Sequence, residues 1–218
     1  MNKQRIIDKT KEHLRKMFEK EGTGHDWWHI QRVLNNAIAI AKKEKRADMF
    51  IVQMGALLHD IADFKFNGGD DTLGGKVAYK WMKDNKLDEP LIAKVVHIVD
   101  NVTFKGLGVK SKMKSLEGKI VQDADRLDAL GAIGVARAFA YGGYKQRSIY
   151  DPEIKIRKNM KFAEYKKGTE STLNHFHEKL LHLKSLMNTK TGKYMAFERH
   201  KFIENYLREF YAEWDGLK

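Results

Sequence analysis

Cysteine is absent from this chain of 218 residues, and proline occurs only at Pro90 and Pro152. Without cysteine the chain has no disulfide framework, no thiolate nucleophile and no thiolate metal ligand. Proline interrupts helices, so its scarcity leaves long stretches of the chain free to be helical.

Long apolar runs are also missing, since no stretch approaches the ~20 consecutive apolar residues that span a bilayer. The first residues, MNKQRIIDKTKEHLRK, are polar and lack the apolar region of a signal peptide. We therefore expect a cytoplasmic protein with no membrane partner.

The charge is unbalanced, with a formal net charge of +12. An excess of this size favours a polyanionic partner such as a nucleotide or a nucleic acid. Lysine is spread over the whole chain, however, so an ordinary solvated surface explains most of the excess equally well.

Apolar residues recur at helical spacing almost throughout, and the alternating pattern of strands is missing. The spacing predicts helices or helical stripes at 30–41, 49–58, 77–85, 89–99, 117–140, 173–187 and 194–214. Glycine pairs, including those at 74–75 and 142–143, predict loops between helices. The expected fold is all-α, a single compact bundle of roughly eight to twelve helices in one domain, 1–218.

Two His-Asp pairs are candidates for metal binding, His25-Asp26 and His59-Asp60. The second pair ends an apolar helix, where an ionised carboxylate needs a partner to offset its desolvation. A metal ion is one such partner, and a buried hydrogen bond between the two side chains is the alternative. Asp63 lies one helical turn after His59, so it can face the same site.

A cluster of acids stands in the otherwise apolar stretch KIVQDADRLDALGAIG. Asp125 and Asp128 share a face of the predicted helix, whereas Asp123 points away from Asp125. The acids would repel one another unless a cation neutralised them. Either they contribute metal ligands together with His29, or they form a solvated face balanced by Arg126.

Taken in order, His29, His59-Asp60 and the aspartate before Arg-Leu resemble the H…HD…D pattern of HD-domain phosphohydrolases. The stretches HDWWHIQRV, LLHDIADFKF, VQDADRLDALGAIGVARAFAYGG and ERHKFIENYLREFYAEW are similar to those of the small, stand-alone bacterial members. The resemblance covers most of the chain, with a metal-site core at about 22–140 and a substrate loop with C-terminal helices at about 141–218.

The resemblance implies an HD-type helical domain with one bound divalent metal ion. It implies His29, His59, Asp60 and Asp125 as the metal ligands and Asp63 as the acid that transfers a proton. Mn²⁺ is the favoured ion. Mg²⁺, Co²⁺, Ni²⁺, Fe²⁺ and Zn²⁺ are the alternatives, because imidazole and carboxylate suit all of them to some degree.

Phosphate oxygens need cations beyond the metal ion. Arg32 and Lys65 are the expected catalytic cations, with an ordinary surface role as the alternative for each. The expected substrate-binding residues are His25, His97, Arg126, Tyr144, Lys145 and Arg147. For His97 a satisfied core histidine is the alternative, and for the last three a solvated connection.

The function these features indicate is hydrolysis of a (deoxy)nucleoside triphosphate to the monophosphate and pyrophosphate. A 5′-nucleotidase or a cyclic-nucleotide phosphodiesterase is the alternative enzyme. A non-catalytic nucleic-acid-binding module with a structural metal is the alternative of another class, with a steep salt dependence as its signature. A small-molecule nucleotide is thus the expected partner, nucleic acid is not, and a homodimer is left open.

Overall fold

The computed structural model describes residues 2–19, 24–62, 73–104, 106, 109–157 and 171–218. Within them the chain forms nine α-helices and one 3₁₀ segment, and no strand, which confirms the expected all-α fold. The helices are α1 (Lys3–Met17), α2 (Trp27–Glu44), α3 (Met49–Leu58), α4 (Leu73–Asp84), α5 (Glu89–Val102), α6 (Leu116–Asp128), α7 (Gly131–Tyr144), α8 (Thr172–Glu178) and α9 (Lys190–Trp214), with the 3₁₀ segment at Leu180–Leu186.

The chain divides into two compact units, Met1–Phe104 with Ser111–Asp125, and Lys105–Lys110 with Arg126–Lys218. In the first unit α3 packs against α1, α2 and α5, and α4 packs against α5. In the second unit α7 packs against α8 and α9, and the 3₁₀ segment packs against both α8 and α9. The assignment of residues 1–218 to one domain stays a prediction.

Helix α3 is the centre of the first unit, and it confirms the prediction of a buried helix at 49–58. Every residue from Phe50 to Leu58 except Gln53 is buried. A side chain at Gly55 would meet Ile98 of α5 at 3.1 Å and Val121 of α6 at 3.3 Å. The glycine therefore lets α3 lie close to both helices, and the end of α3 carries the His59-Asp60 pair.

The single helix expected at 117–140 is wrong, because the structure divides it into α6 and α7. Gly131 begins α7 with a φ of +70°, a left-handed conformation that glycine adopts without strain. Ile133, which its spacing placed on the apolar stripe, lies on α7 and is 44% exposed. The apolar periodicity therefore continues across a break at Leu130, whose backbone is extended, and Gly131.

The glycine pairs at 74–75 and 142–143 were expected in loops, and they lie inside α4 and α7 instead. A side chain at Gly75 would meet Oδ1 of Asp100 at 2.1 Å, and one at Gly142 would meet Oγ1 of Thr172 at the same distance. These glycines therefore permit close packing of helices within each unit. Among the described residues, no helix is both long enough and apolar enough to cross a membrane.

Candidate metal centre

The first side chain of the site comes from the first turn of α2. Asp26 caps this helix, and its Oδ1 accepts a hydrogen bond of 2.8 Å from the backbone N–H of His29. Ile30, Val33 and Leu34 bury the same side of α2 in the core. The ring of His29 is consequently held inside the first unit, fully buried.

The second and third side chains follow the last turn of α3. The ring Nδ1 of His59 lies 2.8 Å from the carbonyl oxygen of Ala56, so Nδ1 carries the proton and donates it. The lone pair of His59 is then on Nε2, the nitrogen that faces the site. A backbone acceptor that fixes the tautomer in this way is the usual partner of a metal-binding histidine.

The fourth side chain belongs to α6. The side chain of Asp125 is 30% exposed, whereas Asp123, two residues earlier, is fully buried. Asp125 is the aspartate of this helix that groups with His29 and His59 at distances suited to a metal ion. The assignment of Asp125, and not Asp123, as a metal ligand stays a prediction.

Four donor atoms from these three helices lie close together. The Nε2 of His29 is 3.2 Å from Nε2 of His59, 3.3 Å from Oδ2 of Asp60 and 3.6 Å from Oδ1 of Asp125. The Nε2 of His59 is 3.6 Å from Oδ2 of Asp60 and 3.8 Å from Oδ1 of Asp125.

These separations are close to those that a metal ion imposes on its ligands. Neighbouring ligands about 2.1 Å from an ion are roughly 3.0 Å apart in octahedral geometry and roughly 3.4 Å apart in tetrahedral geometry. Two imidazole nitrogens and two carboxylate oxygens are also the donors that divalent transition metals accept. These five separations and the donor types therefore fit a divalent ion, with Asp125 grouped with both histidines and Asp60 grouped with His25 and His29.

A fifth side chain, His25, extends the cluster. Its Nδ1 lies 2.8 Å from Oδ2 of Asp60, and its ring stands edge-on to the ring of His29, with 5.3 Å between centroids. His25, His29 and Asp60 form a second group that could hold a metal ion. His25 was expected to bind substrate, and the structure places it on the carboxylate of Asp60.

The electrostatics of Asp60 follow from these contacts. Burial raises the pKa of Asp60, but the electrostatic effect of the neighbouring His59 and hydrogen bonds from His25 and His29 lower it further than burial raises it. The net result is a pKa well below the ordinary value for aspartate. Asp60 is therefore ionised at neutral pH, as a carboxylate ligand has to be.

The remaining predicted residues are not brought together by the described contacts. Arg32 lies on α2, one turn after His29, and it is half-buried. His97 lies half-buried on α5, where Asn101 donates to its carbonyl oxygen at 2.8 Å and approaches its Nδ1 at 3.4 Å. Asp63 and Lys65 lie outside the described residues.

Four predicted substrate-binding residues belong to the second unit. Arg126 is largely buried, and its Nη1 donates to the carbonyl oxygen of Leu186. The Lys145 Nζ lies 5.1 Å from the ring centre of Tyr144, and the Arg147 Cζ lies 5.4 Å from that of Tyr141. These are cation–π contacts on exposed or half-buried side chains, and a role in substrate binding stays a prediction for all four.

Two side chains that the sequence analysis assigned no role lie close along the chain to the cluster. Gln122, one turn before Asp125, is buried, and its Nε2 donates to the carbonyl oxygens of Asn101 at 3.1 Å and Val102 at 3.3 Å. Trp28, next to His29, is 60% exposed. The sequence offered a signal for each of them. Gln122 lies in an acid-rich but otherwise apolar stretch, and Trp28 is one of two adjacent tryptophans.

Comparison with known proteins agrees with this geometry. The HD domain family matches residues 27–130, which contain all four donor residues. YpgQ of Bacillus subtilis is 38% identical over 200 residues, which are 90% of this chain and 88% of YpgQ. The crystal structure of YpgQ in complex with ADP superposes with a TM-score of 0.75 and covers 97% of this chain and 100% of that chain.

Two further solved structures are similar over nearly the whole chain. An HD-superfamily hydrolase from Bacillus thuringiensis is 42% identical, with a TM-score of 0.75, covering 98% of this chain and 99% of its own. A protein from Lactobacillus plantarum is 32% identical, with a TM-score of 0.86, covering 97% of each chain.

Proposed function

This chain belongs to the HD superfamily of metal-dependent hydrolases, and on that basis we propose that it hydrolyses (deoxy)nucleoside triphosphates to the monophosphate and pyrophosphate. The observation that carries the proposal is that Nε2 of His29 and Nε2 of His59 lie 3.2 Å apart, and that each lies 3.3 to 3.8 Å from one carboxylate oxygen of Asp60 and one of Asp125. Membership in a hydrolase family argues against a non-catalytic nucleic-acid-binding module.

The proposed ligand set also has a suitable charge. Two neutral imidazoles and two carboxylates contribute two negative charges, which balance those of one divalent cation. A balanced centre can accept a phosphate oxygen without repelling it, because the ligand carboxylates are neutralised by the ion. Mn²⁺ is kept as the proposed ion, and each alternative ion belongs in the test, because mixed nitrogen and oxygen donors accept all of them.

When bound, the ion supplies a Lewis acid for the phosphoryl group and lowers the pKa of the attacking water. The protein holds the donors of that ion in place. His59 is fixed by the carbonyl oxygen of Ala56, and Asp60 is held by the ring of His25. Because these partners exist before substrate arrives, the site needs little reorganisation during the reaction.

A nucleotide is proposed as the substrate because of two observations. The similar protein YpgQ was crystallised with ADP, a nucleoside diphosphate. The formal net charge of +12 suits a substrate that carries several negative charges.

Arg32, one turn after His29, is the proposed contact to a phosphate oxygen, with Arg126 as a second cation. His97, Tyr144, Lys145 and Arg147 are proposed to contact the rest of the nucleotide.

Two further roles are proposed for residues outside the described part of the chain. Asp63 is proposed to transfer the proton from the attacking water, and Lys65 to stabilise charge on the phosphate. Asp63→Asn should lower kcat and leave metal content unchanged. Asp60→Ala should lower both, because a proposed ligand is removed.

The deciding experiment strips the protein of metal with a chelator and restores one divalent ion at a time. Each form is then incubated with nucleoside mono-, di- and triphosphates and cyclic nucleotides, and both products are identified by chromatography. We expect a monophosphate and pyrophosphate from a triphosphate. Inorganic phosphate from a monophosphate as the main product would instead identify a 5′-nucleotidase, and opening of a cyclic nucleotide a phosphodiesterase.

A further inference from the structure

Helix α2 begins with two adjacent tryptophans of different exposure. Trp27 is half-buried, whereas Trp28 is 60% exposed although the next residue, His29, is fully buried. Scattered exposed aromatic residues are common on protein surfaces, so exposure alone does not indicate a binding site. What distinguishes Trp28 is its position relative to the proposed metal ligand and the proposed phosphate contact.

The helix geometry gives that position. Residues follow one another at about 100° around a helix, so Arg32 lies about 40° from Trp28, and His29 lies about 100° from Trp28 in the same direction. Arg32 therefore projects between the exposed Trp28 and the buried His29. The Cβ atoms of Trp28 and Arg32, at i and i+4, are neighbours on the helix surface, about 5–6 Å apart.

The direction of the side chains brings Trp28 nearer to the site. Side chains on a helix lean towards its N-terminus, so the Trp28 indole covers the surface near the start of α2. That start is the segment that carries His25, which bonds Asp60 and is itself 17% exposed. Trp28 therefore lies at the exposed start of α2, close along the chain to two residues of the cluster, His25 and His29.

The order of these groups matches the order of groups in a nucleotide. From the interior outwards, α2 presents a metal ligand, a guanidinium and an exposed indole. A nucleotide presents a phosphate for the ion, further phosphate oxygens and an aromatic base. On the basis of the proposed function, we propose that Trp28 stacks on the base of the bound nucleotide and so contributes to its selection.

Base stacking predicts which ligands should bind less tightly when Trp28 is replaced. An indole can stack on any base and has no interaction of this kind with inorganic pyrophosphate. Purines offer more area than pyrimidines, so ADP should depend on Trp28 more than UDP does. The contribution should therefore appear in the binding of nucleotides and be absent from the binding of the matching phosphate without a nucleoside.

The test measures the binding of ADP, UDP and inorganic pyrophosphate to the Mn²⁺-loaded protein by calorimetry. Trp28→Ala should weaken ADP binding roughly tenfold and leave pyrophosphate binding unchanged. Trp28→Phe, which keeps a smaller aromatic ring, should bind ADP with an affinity between those of the wild type and Trp28→Ala. Trp214→Ala is the control, since Trp214 is a tryptophan of similar exposure, 51%, at the end of α9.

An equal loss for ADP and pyrophosphate in Trp28→Ala would contradict stacking, and so would no loss for either. Both results leave the proposed hydrolysis of nucleotides standing, provided that the wild type binds and cleaves them. If the wild type binds pyrophosphate and no nucleotide, the proposed function is wrong and the role of Trp28 is wrong with it.

Discussion

The ring Nδ1 of His25 lies 2.8 Å from Oδ2 of Asp60, the carboxylate oxygen that also lies 3.3 Å from Nε2 of His29. His25 therefore orients the carboxylate that is proposed to bind the metal ion. The contact joins a residue just before α2 to one just after α3, and it connects the first His-Asp pair of the sequence with the second.

Loss of this contact should weaken metal binding. His25→Ala is expected to lower the affinity for Mn²⁺ by about tenfold to a hundredfold, because partners of metal ligands commonly contribute that much. Competition with a chelating dye measures the change. His25→Asn is the matched control, since its side-chain amide can donate from a position near that of Nδ1. Unchanged affinity in His25→Ala would show that Asp60 does not need this partner.

The two aspartates of α6 provide a second test. Asp125→Asn should abolish stoichiometric metal binding while the protein stays folded, since it removes a proposed ligand that is partly exposed. Asp123→Asn should keep the metal and unfold at a lower temperature, because the change replaces a fully buried carboxylate with an amide of different hydrogen-bonding capacity. Metal analysis and thermal unfolding measure the two effects. The reverse pattern would exchange the roles of the two residues.

The ion pair between Arg157 and Glu178 should stabilise the second unit. Glu178 is buried, and its carboxylate accepts from Nε of Arg157 at 3.0 Å, from Nη2 at 2.8 Å and from the backbone N–H at 3.0 Å. Glu178→Gln should lower the free energy of unfolding by about 1–3 kcal/mol, because the arginine loses a charged, bidentate partner. Urea unfolding measures the loss.

The control for that experiment is Glu209→Gln. Glu209 pairs with Lys218 at 2.7 Å, but both side chains are exposed, and such pairs add little to stability. We expect no measurable change in this variant. A loss equal to that of Glu178→Gln would mean that burial of the pair is not the cause.

Stability should fall in mild acid because of three histidines outside the metal centre. Burial lowers the pKa of His13, His177 and His200, and the charge of His182 lowers that of His177 further. In the unfolded chain these histidines take up protons near their ordinary pKa of 6.5, whereas in the folded protein they take them up only at lower pH. The stability is therefore complete above that pH and decreases as the pH falls through it.

Urea unfolding of the metal-free protein at pH values on both sides of 6.5 measures this effect. His177→Gln should reduce the dependence, since the variant has no group to protonate at that position. Glutamine can also keep a hydrogen bond to the hydroxyl of Tyr211, which now lies 2.9 Å from Nε2 of His177. The same slope in the variant would show that His177 does not contribute.

Local sequence was informative wherever a short segment determines its own structure. The apolar run 49–58 forms the buried helix that it predicted, and Asp26 caps α2. The order of His29, His59, Asp60 and Asp125 indicated a metal site, and in the structure each carboxylate has an oxygen within 3.8 Å of both histidine Nε2 atoms. The prediction of one helix at 117–140 failed at Gly131, because the spacing of apolar residues carries no information about backbone angles.

The sequence by itself determined that the protein is all-helical, that it lacks cysteine chemistry and that it carries the family's metal-binding pattern. The first two depend on composition and on apolar spacing within a few helical turns, and the third depends on the order of a few residue types along the chain. Only the tertiary structure decided that His25 contacts Asp60, that Nε2 of His29 and Nε2 of His59 face each other, and that Trp28 remains exposed. The first two depend on how helices pack, because packing joins residues that are far apart in the chain.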